Sequence, residues 1–345
     1  MKTILLKVKD KKLKAKAIAL AAKIIREGGL VAFPTETVYG LGADALNSKA
    51  VKRIYEVKGR PPDNPIIVHI AEKNDIYKLA KCVPKKAKKL VQKFWPGPLT
   101  LVLKKAKKVP KITTGGLDTI AIRMPANEIA LALIKKSHTP IAAPSANLSG
   151  KPSPTSTSHV LHDLNGKIEA IIDGGKTKIG VESTVLDLTT EPPTLLRPGG
   201  VTLEELEKVL GSINIPPYIK GKGFKGVAKS PGMKYRHYAP EAKLILVEGR
   251  CEKVVKKIRM LVKKYRKEGK VVGVMTTQKT HKYDANIVKF VGSSDLQIAK
   301  NLFKTLRVFD KKGVDIIIAE GVKEKGLGFA IMNRLRKAAC EIIKV

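Results

Sequence analysis

The sequence predicts an α/β protein in two domains, the second a small Rossmann-like one, and three observations carry that expectation. Leu30–Phe33 is a run of four apolar residues closed by Pro34, the pattern of a short strand buried on both faces. Beyond Pro240, apolar strands alternate with amphipathic helices at lengths that suit a doubly wound sheet. Between the halves, residues 213–240 carry prolines and glycines without an apolar period. The domains are therefore drawn as 1–212 and 241–345, with 213–240 as the interdomain linker. A chain of 345 residues agrees, because a single core is near its upper limit at that length.

Composition narrows the class. A hydrophobic share of 43% with 28% charged residues describes an ordinary soluble globular chain. No apolar run approaches a membrane span, and Met1–Asp10 lacks the apolar core of a signal peptide. Cys82, Cys251 and Cys340 are too far apart for a disulfide framework or a zinc site, which fits a reducing, cytoplasmic location. The net charge of +37 favours anionic partners: nucleotides, phosphates, bicarbonate or nucleic acid. Many lysines nevertheless fall on helix faces such as 81–93 and 253–270, where a solvated face is the ordinary reading.

In chain order, Leu13, Ala17, Leu20, Ala21 and Ile24 have helical spacing, and Gly28-Gly29 stops that helix before the Leu30 strand. After Pro34, Thr35-Glu36-Thr37 places two hydroxyls and a carboxylate at a strand's C-terminal edge, where open α/β sheets bind ligands. The same threonines suit a loop that merely bonds its own backbone. Gly40 and Gly42 read as turn residues that bring the backbone close to a guest. Asn47 or Ser48 caps a helix ending at Lys58-Gly59-Arg60; strand Ile66–Ile70 then carries His69. Helical stretches around Ile76 and over Lys85–Phe94 precede strands Leu99–Leu103 and Ile120–Met124, the latter bearing Arg123. Helix Asn127–Lys136 and strand Pro140–Ala143 lead into Pro144-Ser145-Ala146-Asn147 and a Ser/Pro loop. Strands Ala170–Asp173 and Thr184–Leu188 follow, and Thr202 with Glu205 makes a capping box. In the second half the strands are Leu244–Val247, Val271–Met275, Ile287–Val291 and Ile316–Ala319. The helices are Val254–Tyr265, Leu296–Phe309 and a closing Ile331–Ile342.

Several motifs fail on inspection. Gly175-Lys176-Thr177 ends like a P-loop, yet Ala170 stands where its first glycine belongs. Gly326-Leu327-Gly328 lacks the third glycine of a dinucleotide fingerprint, Ile331 being there instead. His159 and His162 share a helix face without a further ligand at metal spacing. No Gly-x-Ser-x-Gly elbow is present.

What persists is a set of polar residues at strand ends of the first domain: Thr37, Lys58, Arg60, His69, Arg123, Ser145, Asn147, Ser183 and Arg197. If these ends meet at one rim, lysine and arginine there can hold phosphates. Lys58-Gly59-Arg60 with Ser145-Ala146-Asn147 matches the K-x-R…S-x-N signature, and Phe33–Leu41 (FPTETVYGL) matches almost letter for letter. The chain thus resembles the YrdC-like family, in the long form whose members are L-threonylcarbamoyladenylate synthases. Ser230–Pro240 is similar to the interdomain motif of that form. The resemblance implies a twisted mixed-sheet first domain followed by the smaller Rossmann-like one. It also implies condensation of L-threonine, bicarbonate (or CO₂) and ATP to threonylcarbamoyl-AMP and pyrophosphate. The product would feed the transferase machinery that makes N6-threonylcarbamoyladenosine at tRNA position 37.

By the same resemblance, Thr37, His69, Arg123, Ala143 (through its backbone) and Ser183 contact threonine. Arg60, Asn64, Thr119, Ser145, Asn147, Ser153, Arg197 and Tyr235 contact ATP, with Lys58 and Arg60 neutralising phosphate in catalysis. No metal ligands are expected from the chain; Mg²⁺ would arrive with ATP. His69 is open to two roles, general base or positioning hydrogen bond. Ser230–Tyr238 is expected to close over the cleft as a lid that excludes water. Two rivals stand beside this reading. One is a nucleic-acid-binding module, favoured by the charge but lacking an aromatic stacking platform, and direct contact with tRNA is compatible with either reading. The other is a carbamoyl-adenylating enzyme of the same fold acting on a different amine.

Overall fold

The computed structural model describes the chain except residues 1, 9, 222–225, 227, 231–232 and 234–236. Its Cα atoms group into two compact units, 1–149 with 153–234, and 150–152 with 235–345. The stretch drawn as a linker therefore belongs to the first unit as far as residue 234.

The first unit is built on ten strands: β1 (Ile4–Lys7), β2 (Val31–Phe33), β3 (Gly40–Asp44), β4 (Ile67–His69), β5 (Leu99–Lys104), β6 (Thr119–Arg123), β7 (Ile141–Ala142), β8 (Ala170–Asp173), β9 (Thr184–Asp187) and β10 (Thr194–Arg197). They pair in the order β1-β8-β2-β3-β7-β4-β6-β5-β9-β10. The sheet is mixed: β4 and β6 are parallel, β5 and β6 antiparallel. Val31, Ala32 and Phe33 are wholly buried, as their unbroken apolar run requires. Helices α1 (Lys11–Arg26) and α5 (Glu128–Ser137) share a core cluster with β2 and β8. Asn47 caps α2 (Ser48–Lys58) through its side-chain oxygen, and Gly59 ends it in the left-handed region at φ 59°.

Two local expectations are corrected. Gly40 and Gly42 lie in β3, not in a turn. Glycine is required at 42 by packing, because a Cβ there would sit 2.8 Å from both Ile141 and Phe33. Thr194–Arg197, which the sequence leaves outside its strands, is an edge strand antiparallel to β9.

The second unit holds a parallel sheet of β11 (Lys243–Glu248), β12 (Val272–Thr276), β13 (Ile287–Phe290), β14 (Ile316–Glu320) and β15 (Glu341–Lys344), ordered β13-β12-β14-β11-β15. In chain order after α1, α2 and α5, helices α8 (Cys251–Lys267), α9 (Asp295–Lys311) and α10 (Leu327–Ala338) connect its strands; α3 (Ile76–Leu79), α4 (Lys85–Phe94), α6 (Thr157–Leu164) and α7 (Leu203–Leu210) belong to the first unit. The closing helix stops at Ala338, and Glu341–Lys344 becomes a strand pairing in parallel with β11. A free edge offered by β11 outweighs a helical preference that four residues cannot express alone.

Candidate active site

The site residues of the first unit occupy both ends of the β4–β6 pair. At the C-terminal end, His69 is the register partner of Arg123. Arg123 is buried; its Nη2 donates to Thr37 Oγ1 at 3.0 Å and pairs with Glu36 Oε1 at 2.7 Å, while Nε donates to the Gly97 carbonyl at 3.4 Å. The loop from β2 to β3 thus brings Glu36 and Thr37 to this end. Thr35, its neighbour, takes the bland role: its hydroxyl donates to the Val38 carbonyl and accepts from the Thr37 and Val38 amides. On the adjacent strands Thr100, the register partner of Arg123, shares a 2.8 Å hydrogen bond with Ser183. Arg197 completes the chain, Nε donating to the Ser183 carbonyl at 3.0 Å and Nη2 to its hydroxyl at 3.1 Å.

The His69 ring is buried, and its Nδ1 has no hydrogen-bond partner among the described residues. Burial, helped by the Arg123 charge, pushes the imidazole down to about 3. A neutral ring with so weak a basicity is suited to positioning a ligand and poorly suited to general-base work near neutrality. The unfolded chain, with an ordinary histidine near ~6.5, binds a proton in the interval where the native chain does not. Stability should therefore fall as pH drops from about 6.5 towards 3, and His69→Gln should flatten that slope in urea titrations taken at several pH values. An unchanged slope would place the acid-sensitive group elsewhere.

The opposite end carries the other set. Lys58, the last residue of α2 and buried, donates from Nζ to the Ser145 carbonyl at 2.6 Å and to the Asn147 carbonyl. The two halves of the K-x-R…S-x-N signature are thereby one physical unit: the ammonium holds the 145–147 loop. Arg60 is braced on the chain ahead of β4, donating to the Asn64 carbonyl at 3.1 Å and the Pro65 carbonyl at 3.0 Å from Nη2. Asn64 Oδ1 is buried without a partner among the described residues. Thr119 opens β6, and the register of β4 with β6 places it level with Pro65. Ala143 sits between the sets, its amide donating to the Ile67 carbonyl at 2.9 Å. Ser153 donates to Glu182 Oε1 at 2.5 Å and is buried. Tyr235 lies outside the described residues.

The two sets adjoin through the β2–β3 loop: Thr37 accepts from Arg123, and two residues on, the Tyr39 carbonyl accepts from the Ala146 amide at 2.9 Å. Cationic and hydroxyl groups gather at two stations along one pair of strands, Thr119 and Arg123 being four residues, or about 13 Å, apart. Arg197 stands with the Ser183 group and not with Arg60. Glu36 and Thr100 also belong to the network. A lone threonine inside the apolar run of β5, and the acid between two motif threonines, were the available signals. His159 and His162 form no metal site: His159 Nδ1 lies 3.2 Å from the Thr155 amide and His162 Nδ1 lies 3.0 Å from Asp163.

Ala228 and Met233 join Ile67, Val102, Ala121, Val185 and Leu196 in one apolar cluster, with Tyr218 packed against it. Lys229 pairs with the buried Asp187 at 3.1 Å. Of the expected lid, 231–232 and 234–236 lie outside the described residues, and Tyr238 belongs to the second unit, where it stacks on Phe303 with centroids 5.3 Å apart.

Comparison with known proteins places the chain among enzymes of this architecture. The Sua5/YciO/YrdC family model, described as "Telomere recombination", matches residues 23–199, and the model "Threonylcarbamoyl-AMP synthase, C-terminal domain" matches 201–340. The chain belongs to the Sua5/YciO/YrdC family, in its two-domain form. The threonylcarbamoyl-AMP synthase of Pyrococcus abyssi is 60% identical over 344 residues, covering 99% of this chain and 100% of that one. That of Bacillus subtilis is 53% identical over 326 residues, covering 93% and 92%. The crystal structure of P. abyssi Sua5 complexed with L-threonine superposes with a TM-score of 0.95 at 59% identity, covering 100% of both chains.

Proposed function

We infer that the chain is a threonylcarbamoyl-AMP synthase: L-threonine, bicarbonate or CO₂, and ATP give threonylcarbamoyl-AMP and pyrophosphate. The observation that carries this is the two-station layout of β4 and β6. One station offers the buried Arg123, Thr37, Ser183 and a neutral His69, groups that suit a small zwitterion. The other offers Lys58, Arg60, Asn64, Ser145 and Asn147, groups that suit phosphate and a nucleoside. An amino acid and an α-phosphate laid along the strands between them would meet near Ala143.

In the reaction, the threonine amine first captures CO₂ as a carbamate. A carbamate oxygen then attacks the α-phosphorus, and the bond to pyrophosphate breaks. No side chain needs to become covalently attached, so alignment and charge neutralisation carry the rate. Among the described residues no group of three or more His, Cys, Asp or Glu could hold a metal ion. Mg²⁺ would enter as part of the substrate, riding on the triphosphate. The product supplies a downstream transferase acting on tRNA, which puts the enzyme in the cytoplasm with its ATP and tRNA.

Pyrophosphate release in the presence of ATP and bicarbonate tests the assignment. L-Threonine should stimulate it strongly and L-serine less so, since one methyl group is worth about 1–3 kcal/mol in a fitted pocket. Equal stimulation by unrelated amines, or none by threonine, would refute it.

On this reading Ser230–Tyr238 acts as the lid that keeps water from the mixed anhydride. Met233→Lys would set an unpaired ammonium on the Ile67, Val102 and Ala121 cluster, at about 1–3 kcal/mol. Faster proteolysis between residues 213 and 240 is expected, with less threonylcarbamoyl-AMP formed per pyrophosphate released. An unaltered product ratio would remove the lid.

A further inference from the structure

The second unit has a cleft of about 1270 Å³ at the C-terminal edge of its parallel sheet. The connection leaving β12 runs to β13 on one side, and that leaving β14 runs through α10 to β15 on the other. This is the crossover point at which open α/β sheets bind ligands. The cleft is lined by Cys251, His281 and Glu320, among others.

These three residues are in line. Cys251 Sγ lies 3.5 Å from His281 Nε2, and His281 Nδ1 lies 2.9 Å from Glu320 Oε1. Cys251 is exposed and is the first residue of α8, immediately after the turn from β11. Gly249 makes that turn at φ 150°, and a Cβ there would strike the Val345 carbonyl at 2.1 Å. Among the described residues no side chain of the N-cap, Arg250, caps the first turn of α8. Gln278 Nε2 is 3.9 Å from the sulfur. Glu320 is fixed by five hydrogen-bond donors: Thr276 Oγ1, the Thr277 amide and hydroxyl, Tyr283 OH and the histidine. Burial alone would raise this carboxyl; the bonds from Thr277, Tyr283 and His281 outweigh it and hold Glu320 below the ordinary range. A buried carboxylate that orients an imidazole, which in turn faces an accessible thiol at a strand-to-helix turn, is the arrangement of a nucleophilic triad.

We propose that Cys251, His281 and Glu320 form a second active site, a thiol-dependent acyl hydrolase for activated esters. The walls are of mixed charge: Arg336 pairs with Glu248 and Glu324, Asp295 accepts from the Gly328 amide, and Lys279, Lys323 and Lys325 also line the cleft. In the first half-reaction His281 Nε2 takes the thiol proton and the sulfur adds to the carbonyl carbon, the C=O pair moving onto oxygen. The oxyanion collapses, the C–O bond to the leaving group breaks, and that oxygen receives the proton from His281. Water then adds to the thioester carbon as His281 takes its proton; the C–S bond breaks and the sulfur is reprotonated. Ester and water become acid and alcohol. Glu320 is a positioning residue throughout.

The test uses the full chain and two probes, 4-nitrophenyl acetate and mono-4-nitrophenyl succinate, with iodoacetamide labelling read by mass spectrometry. Cys251 should be alkylated roughly tenfold faster than Cys82 and Cys340 at neutral pH. A burst of 4-nitrophenolate with an acylated Cys251 should appear with either ester, and vanish in Cys251→Ser and His281→Gln. Pyrophosphate release should be unchanged in Cys251→Ser. Glu320→Gln should slow formation of the acyl-enzyme and Glu320→Asp should recover part of that rate, because the carboxylate holds the imidazole in line with the sulfur. Labelling no faster than at the other two cysteines, or fast labelling without an acyl-enzyme, overturns the proposal. So does a burst that survives in Cys251→Ser.

Discussion

Replacing Arg123 with alanine should destabilise the first unit by about 3–5 kcal/mol, because it strands the Glu36 carboxylate in a site both side chains now share in near-complete burial. That is a large part of the ~5–15 kcal/mol that keeps a domain folded. The same substitution should abolish threonine binding. Among the described residues Glu36, Thr37 and Gly97 engage Nε and Nη2 of the guanidinium, and on the proposed function Nη1 would meet the carboxylate of threonine. The two effects separate in the double variant Arg123→Met with Glu36→Gln. Removing both charges should restore most of the stability in a urea titration, since an uncharged pair is no longer desolvated at a loss. Calorimetric titration with L-threonine should still show affinity lowered by about 10²-fold, the equivalent of a charged hydrogen-bonded contact worth ~1.5–3 kcal/mol. Normal threonine affinity in the restored variant would reduce Arg123 to a structural role.

Arg60→Ala should lower turnover by roughly 30- to 1,000-fold, or about 2–4 kcal/mol of transition-state stabilisation. The guanidinium is braced on the Asn64 and Pro65 carbonyls and, on the proposed function, would meet the nucleotide without reorganising when charge develops. Arg60→Lys keeps the charge but loses the planar fork, and should recover only part of the rate. Steady-state pyrophosphate release with saturating ATP and threonine distinguishes the cases. Near-normal turnover in Arg60→Ala would remove Arg60 from catalysis.

Some of the site was legible because its chemistry is local. Lys58-Gly59-Arg60 follows a helix that Asn47 caps, and the left-handed Gly59 makes that helix end where the motif says. His69 and Arg123 close strands that their apolar runs announce. The roles of individual hydroxyls were not legible. Thr35 and Thr37 differ by two positions, yet one serves the backbone and the other the arginine. Gly42 looks like a turn residue until the Phe33 ring is seen packed against it. The terminal strand β15 was hidden because its pairing depends on an edge of β11 about a hundred residues earlier.

By itself, then, the order of amino acids determined the alternation of strands and helices, the signature residues and the family to which they belong. Those follow from backbone preferences and from motifs whose members lie within a few residues. The tertiary structure alone decided that Glu36 pairs with Arg123, that the Arg123 and Arg60 side chains stand at different levels of one strand pair, and that Cys251 meets His281 and Glu320. Such meetings depend on strand register and on crossovers between distant segments, and neither leaves a periodic trace in the chain.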